Sequence, residues 1–533
     1  MKKHKPLVAY FCMEFGLHQD FKIYSGGLGI LAGDILKAAK DGGYPMVGVG
    51  ILWRQGYVEQ LLIDGKLHDC FSEQRYDFLR DTKVTVDLQI RGRPLRCKVW
   101  KCTKYGNVPL YLLDANLPRN ADSLITGQLY GWFGEERIAQ EMILGIGGVR
   151  ALQKLKIHPD IYHFNDSHPV LAGTELIRKK MEGGLTFDKA WAQTRRQIVF
   201  TTHTPVPAGN EVHEHKLLQY MGAYNGLSYE EMCQIGGDPF GMTVAGLRLA
   251  KRANAVAKLH GKTARRMWKG VRGAAKIISI TNGVHNGSWQ DKRIIKAMTG
   301  KGDLWQAHMK AKQDLISEVK RLSGVELQAE TLLIGFGRRA AGYKRADLIF
   351  RDKKVIGDLL KADKLQIVFS GKAHPNDLQG KAIVENLFKL SRRFPKNVVF
   401  LPNYNIQIGR LLTSGCDVWL NNPIRPMEAS GTSGMKAAMN GVLNLSVLDG
   451  WWPEGCRHGV TGWQIGDGYE GPNADKNDSA SLYRVLRREV IPTYYRNREK
   501  WIKMMKASIK MSQEKFSAAR MVKEYYKLIY LKK

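Results

Sequence analysis

No stretch of 18 apolar residues occurs in this chain, so it offers no candidate for a membrane-spanning helix. Cysteine is sparse: the seven in 533 residues are scattered, without CxxC spacing or a ladder of pairs. Neither a zinc site nor a disulfide framework is indicated, no metal is expected, and a reduced, cytoplasmic setting fits best. The basic start, residues 1–6, runs on into Glu14 and Asp20 with no small-residue cleavage site, so a secretory leader is not expected either. Internal repeats and low-complexity linkers are lacking. Acidic residues are few, with 50 Asp and Glu against 82 Lys and Arg, a formal charge of +32. Such an excess attracts polyanions and keeps nucleic acid in consideration, and it equally suits an enzyme acting on phosphates.

Part of the excess is local. From Ser481 onward there are 15 Lys or Arg and only 4 Glu. Tyr, Trp, Met and Ile recur among these charges, as at Trp501, Ile502, Met504 and Met505. The spacing predicts helices with a solvated basic face packed on the body of the protein.

What is present is ordinary for a globular enzyme: 44% hydrophobic and 25% charged residues, in a chain long enough for two domains. Short apolar runs alternate with helical patterns. Strands are expected at Leu7–Phe15, Ile161–Phe164, Gln197–Thr202, Ala275–Thr281, Thr331–Phe336, Gln366–Ser370, Val398–Leu401, Val418–Leu420 and Val442–Val447. Helices are expected at Ile30–Lys40 and Leu304–Leu322. Continuous apolar strands alternating with helices imply parallel sheets covered on both faces. Residues 71–113 alternate polar and apolar with turn residues, which predicts an antiparallel insertion. The expected boundary falls just after Trp289, giving two doubly wound domains, residues 1–289 and 290–533, that face a cleft.

Open parallel sheets bind ligands beyond the carboxyl ends of their strands. Polar groups gather there: Asn165-Asp166-Ser167-His168, Thr201-Thr202-His203-Thr204, Thr281-Asn282-Gly283, Arg338-Arg339 with Tyr343-Lys344-Arg345, and Ser370-Gly371-Lys372. Any one could be a turn. Five together line a cleft with hydroxyl, amide, imidazole and guanidinium groups, which suits a sugar and its phosphate. Ser25-Gly26-Gly27-Leu28-Gly29 before a helix reads as a phosphate loop or a tight turn. Arg339 and Lys344, across a turn, read as a phosphate-dianion grip or a solvated basic loop. In Glu428-Ala429-Ser430-Gly431-Thr432-Ser433-Gly434-Met435-Lys436, the lysine is expected in the first helical turn, against the dipole. It reads as a surface lysine or as an amine bonded to a carbonyl cofactor.

At these residues the chain resembles the α-glucan phosphorylases, in particular their short branch without long terminal extensions. The resemblance runs from about Ala9 to Trp452 and is densest at Ser25–Asp34, Asn165–Pro169, Thr201–Gly209, Thr281–Gly283, Arg338–Arg345 and Glu428–Gly450. It implies the GT-B fold, two Rossmann-like doubly wound domains around a cleft. The implied activity is attack of inorganic phosphate on an α-1,4-glucan, with retention, to release α-D-glucose 1-phosphate.

The resemblance places pyridoxal phosphate on Lys436, with cofactor contacts from Gly27, Thr432, Ser433, Tyr404, Trp289 and Arg338. Arg339 and Lys344 match substrate-phosphate ligands, and Tyr343 a residue beside the sugar. His203 and Asn282 match contacts to the glucose hydroxymethyl group, with Asp166 and His168 nearby. Glu428, Ala429, Ser430 and Gly431 match the segment at the glucose 3-hydroxyl. A homodimer is the assembly the family often adopts. Acid–base work falls to the cofactor phosphate, so no carboxylate pair of the retaining-glycosidase kind is required.

Departures are Ala341-Gly342 where His-Glu is usual, Ser433-Gly434 where Gly-Asn is usual, and Asn405 where arginine is usual. They bear on glucan length and control more than on the chemistry. Two other readings stay open. A nucleotide-sugar synthase shares the fold and the Arg…Lys pair but places no Schiff-base lysine at 436. An inactive basic glycan- or nucleic-acid-binding protein would account for the charge.

Overall fold

The computed structural model describes residues 5–131, 133–206 and 209–531. They form two α/β units. The first comprises Met1–Val58, Phe71–Thr281 and Met521–Lys533, and the second Glu59–Cys70 and Asn282–Arg520. The division falls at Thr281 rather than after Trp289, and the chain crosses it more than once. A short hairpin near the start belongs to the second unit and the last residues to the first, a long-range exchange that no local pattern announces.

The first unit is built on a nine-stranded sheet. From one edge the strands are Ile277–Ser279, Arg252–Ala255, Ile198–Thr201, Ile161–Asn165, Val8–Phe11, Met46–Ile51, Leu110–Asp114, Arg93–Cys102 and Arg80–Ile90. The first seven run parallel. Central strands such as Val8–Phe11 and Ile161–Asn165 are buried at every residue, as helix-covered parallel strands must be. The last two strands form an antiparallel hairpin that extends the edge, and the outer one alternates exposed and buried residues toward its end. The antiparallel pattern at 71–113 therefore reflects an extension of the main sheet, in which Leu110–Asp114 is the last parallel strand.

In chain order the parallel strands lie 3-2-1-4-5-6-7 across the sheet. The order reverses between Val8–Phe11 and Ile161–Asn165, the switch point at which doubly wound sheets hold ligands. The closing segment anchors in this unit. Tyr530 Oη lies 2.6 Å from His163 Nδ1, Asn254 Nδ2 donates to Tyr525 Oη at 3.0 Å, and Tyr526 Oη donates to the Pro45 carbonyl at 2.8 Å.

The second unit carries a six-stranded, wholly parallel sheet. Its order is Val398–Leu401, Gln366–Ser370, Leu333–Gly337, Val418–Asn421, Leu443–Val447 and Gly462–Ile465. Numbered along the chain this is 3-2-1-4-5-6, the Rossmann order, reversing between Leu333–Gly337 and Val418–Asn421. The hairpin Glu59–Ile63 and Lys66–Cys70 joins it through Gln60, which bonds both the carbonyl and the N–H of Ala373, and through Asp69, 2.6 Å from Lys381. The helix Arg498–Lys515 buries Trp501, Met504, Met505 and Ile509, each side chain contributing about 1.5–3 kcal/mol. Lys500, Lys503 and Lys506 face solvent, so the tail is an amphipathic packing helix. No helix among the described residues is long and apolar enough to cross a membrane.

Candidate active site

In the first unit, the strand Val8–Phe11 leads directly to Glu14, a residue that sequence reasoning passed over. Its carboxylate accepts from the backbone N–H of Ser25 at 2.5 Å and of Gly26 at 3.1 Å, and from Tyr130 Oη at 3.1 Å. It thereby fixes the glycine-rich turn from which the helix Gly27–Asp41 departs. A side chain at Gly29 would lie 2.6 Å from Glu14 Oε2, whereas Gly27 has open space around its Cα. The signal for Glu14 was its position just past the end of a central strand.

On the other side of the switch point, Asp166 follows Ile161–Asn165 with φ of 67°. Burial pushes its carboxyl up to about 7, with the nearby Glu211 charge adding to the effect and the Ser167 N–H at 3.0 Å opposing it. His168 is buried and pushed down to about 4 by desolvation, so it is neutral at pH 7. Its Nδ1 makes no hydrogen bond within the described structure. His203 Nε2 lies 2.6 Å from Asn165 Oδ1, and burial with three neighbouring histidines holds it at about 3. These rings act as neutral hydrogen-bonding groups.

Beside them is a buried cluster the sequence did not announce. His213 Nε2 lies 2.9 Å from Glu141, and Arg137 lies 3.4 Å from Glu211. Ligand atoms of Glu141, Glu211 and His213 fall within 4.8 Å of one another. Burial raises Glu141 far above the carboxylate range, while its hydrogen bond to Glu211 and nearby cations hold Glu211 at about 2 against its own desolvation. One proton shared by the two carboxylates, with Arg137 alongside, balances the charge.

In the second unit the residues lie at its own switch point. Arg338 follows the strand Leu333–Gly337, is buried, and donates to Asn421 Oδ1 at the end of the adjoining strand and to Glu428 Oε2 at 2.6 Å. Lys344 Nζ donates to the same Glu428 oxygen at 2.8 Å. Against desolvation, these two cations hold the Glu428 carboxyl at about 2. The Glu428 N–H in turn donates to Asp449 Oδ2 at 2.9 Å, and burial raises that carboxyl to about 7. The guanidinium brought beside Lys344 is thus Arg338, while Arg339 is exposed. Tyr343 is half-buried, its ring centroid 4.6 Å from Lys344 Nζ.

The segment Ala429, Ser430, Gly431 leads into the helix Thr432–Met439, with Gly431 left-handed at φ 83°. Gly450 crosses behind it so closely that a Cβ there would lie 2.3 Å from the Ser430 carbonyl oxygen. Thr432 and Ser433 form the first helical turn, whose N–H groups are suited to an anion. Lys436 comes one turn later, so opposition to the helix dipole does not explain its placement. It is 5% exposed, and its Nζ lies 3.4 Å from the centre of the Trp289 ring. Tyr404 is close enough to Arg338 to feel its charge, and burial pushes its hydroxyl up to about 12. Asn405 caps the helix Ile406–Gly415, accepting from Ile408 N–H at 2.9 Å. Asn282 is buried, and its carbonyl accepts from Arg520 at 3.0 Å.

A family profile described as "Carbohydrate phosphorylase" matches residues 292–453, the stretch that carries Arg338, Lys344, Glu428 and Lys436. The chain is 39% identical to a protein of Thermococcus litoralis named maltodextrin phosphorylase, covering 99% of this chain and 71% of that one. It is 35% identical to a protein of Aquifex aeolicus named glycogen phosphorylase, over 99% of this chain and 86% of the relative. An uncharacterised protein of Methanocaldococcus jannaschii is 36% identical over 99% of this chain and the whole of its own length.

Proposed function

As the chain belongs to the carbohydrate phosphorylase family, whose fold is the GT-B class, we propose that it is an α-glucan phosphorylase: inorganic phosphate attacks a terminal α-1,4 linkage and α-D-glucose 1-phosphate leaves, with configuration retained. The observation that carries this reading is the charge arrangement at the switch point of the second unit. Two buried cations, Arg338 and Lys344, share one carboxylate, Glu428, and so keep an excess positive charge for an oxyanion.

The residues fit pyridoxal phosphate. The buried Lys436 amine against Trp289 is placed for an aldehyde, the N–H groups of Thr432 and Ser433 for a phosphate, and Arg338 and Tyr404 for the groups beside it. Within the first unit, Gly27, at a helix start with nothing within 4 Å of where a Cβ would stand, is suited to a phosphate. When bound, the cofactor supplies a phosphate group able to exchange a proton with the substrate phosphate.

The protein's own work is binding and charge placement. Lys344 and Arg338 hold the attacking phosphate, with Arg339, exposed next to Arg338, as a further cation for it, and this positive charge stabilises negative charge on the oxygens as the glycosidic bond breaks. His203 and His168, neutral at working pH, meet sugar hydroxyls without adding a cation beside the developing oxocarbenium ion. Asp166 and Asn282 serve the same sugar, Tyr343 packs against it, and Glu428 through Gly431 address its 3-hydroxyl. A cytoplasmic setting is part of the same proposal.

The test is an absorbance spectrum of the purified protein, followed by assay with phosphate and maltodextrins. The wild type is expected to carry pyridoxal absorbance and release glucose 1-phosphate. Lys436→Ala is expected to lose both while keeping its melting temperature within a few degrees. A colourless Lys436→Ala protein that still phosphorolyses glucan would overturn the cofactor assignment.

A further inference from the structure

The second unit carries three adjoining surface depressions of about 450, 500 and 520 Å³; Lys353 lines all of them, and the largest reaches Arg345, next to Lys344. The first is lined by Arg351 and Asp352 and by the helix Ala474–Val485, and the other two by the helix Lys353–Lys361 and the end of the helix Leu378–Arg393. They present Lys353, Lys354, Lys361, Lys389, Arg393 and Lys396, and among the described residues none of these side chains makes an ion pair. Asp347 and Asp358 also line these depressions, so the six cations outnumber the carboxylates among them, and the other neighbouring acids are engaged elsewhere. Asp352 caps its helix through the N–H groups of Lys354 and Val355, and Asp475 pairs with Arg345 at 2.8 Å and Arg351 at 3.2 Å. Unpaired like charges crowded on one face raise the energy of the free protein and lower it when an anion arrives.

The middle depression has a second property. Phe394 and Pro395 lie in its wall among the lysines, and Gly357 leaves its floor open, with nothing within 4 Å of where a Cβ would stand. Phe394 packs against Phe350, centroids 6.5 Å apart and planes 17° from parallel, and the Arg393 guanidinium lies 5.7 Å from its ring centre, so a base at this ring would also meet a cation. Cations in series with an aromatic step between them match a chain that alternates phosphates with flat bases. We propose that this face of the second unit binds single-stranded nucleic acid through the cations around Lys353, with a base against Phe394. Three adjoining depressions that share Lys353 suit an extended strand better than one compact anion, and a duplex would keep its bases from the ring.

The test measures fluorescence anisotropy with a labelled oligothymidylate of about 20 nucleotides across a salt series, using the full chain. The site variant reverses Lys353, Lys389 and Lys396 to Glu. The control reverses Lys500, Lys503 and Lys506, exposed lysines of the helix Arg498–Lys515, so that both proteins have the same net charge. The site variant is expected to bind at least about tenfold more weakly, and the slope of log affinity against log salt is expected to fall by about 2, at roughly 0.7 per lost phosphate contact. The control stays within about twofold of wild type, and phosphorolysis is unchanged in both. Equal weakening of the control would mean that overall charge alone binds the strand, and would overturn the site. So would tighter binding of duplex DNA, or of inorganic polyphosphate of equal charge, since neither offers a base to Phe394.

Discussion

Glu428 is the residue whose removal tests the electrostatics of the second unit most directly. Its carboxylate is buried and held by Arg338 at 2.6 Å and Lys344 at 2.8 Å. The pair lowers its ionisation from 4.5 to about 2, and at 1.36 kcal/mol per pH unit that difference amounts to about 3 kcal/mol of folding stability. Because the folded value is depressed, this stability is fully present above the unfolded carboxyl range near pH 4.5 and is lost as pH falls toward 2. In Glu428→Gln the shape is kept but two buried cations face one another without a counter-charge, a change that costs about 3–5 kcal/mol. Urea unfolding followed by tryptophan fluorescence at pH 7, in phosphate-free buffer, should show that loss.

Phosphate should then repair it. An anion at 100 times its dissociation constant stabilises the state it binds by about 2.7 kcal/mol, close to what the variant lacks. Added phosphate is therefore expected to raise Glu428→Gln more than wild type, with chloride at matched ionic strength raising neither. A variant as stable as wild type without phosphate, or one that gains no more from it than wild type, would refute the claim that Arg338 and Lys344 form an anion site partly neutralised at rest by Glu428.

Other consequences follow from the same structure. Burial raises Asp166 to about 7, so the folded state keeps a proton that the unfolded chain has released, and stability falls as pH rises from about 4 to about 7. Asp166→Asn, which tolerates the positive φ, should flatten that fall and gain roughly 2–4 kcal/mol at pH 8 while losing phosphorolysis; denaturation curves at pH 5 and pH 8 decide it. Gly450→Ala combines a φ of 57° with a Cβ 2.3 Å from the Ser430 carbonyl. It should displace the Ser430 segment and raise KM for glucan more than it lowers the melting temperature, which initial-rate kinetics beside a thermal melt will show. Tyr530→Phe removes the partner of His163 Nδ1 and should cost about 1–2 kcal/mol, read as faster hydrogen exchange in the strand Ile161–Asn165 with little change in the second unit.

Continuous apolar strands were the legible part of the fold. Gln366–Ser370 and Val398–Leu401 coincide with their expected bounds, and Leu304–Ser323 runs one residue past its own. The strands that escaped notice have physical excuses. Arg252–Ala255 reads Arg-Ala-Asn-Ala and is buried through neighbours on both sides, Met46–Ile51 is interrupted by glycine, and Gly462–Ile465 is four residues with a glutamine among them. Each is a strand because it pairs with neighbours distant in sequence, on both sides for the first two and on one side for the edge strand Gly462–Ile465, which no window of residues records.

The candidate site divides in the same way. Lys436, Lys344 and Glu428 could be picked out from local pattern because glycine-rich turns and strand ends mark where backbone approaches a ligand. Their partnership could not, since Arg338 and Glu428 are 90 residues apart and meet only because the strand order turns back at Leu333–Gly337. The same reversal in the first unit sets Glu14 beyond Val8–Phe11 and Asp166 beyond Ile161–Asn165. Helices that cover a parallel sheet must change sides where its order reverses, and the strand ends exposed there are the ones whose side chains no helix claims. Charge at such a place is costly unless paired or ligated, so Arg338, Lys344 and Glu428 satisfy one another at rest and still leave one positive charge over. That surplus, rather than any single motif, is what an incoming phosphate would neutralise.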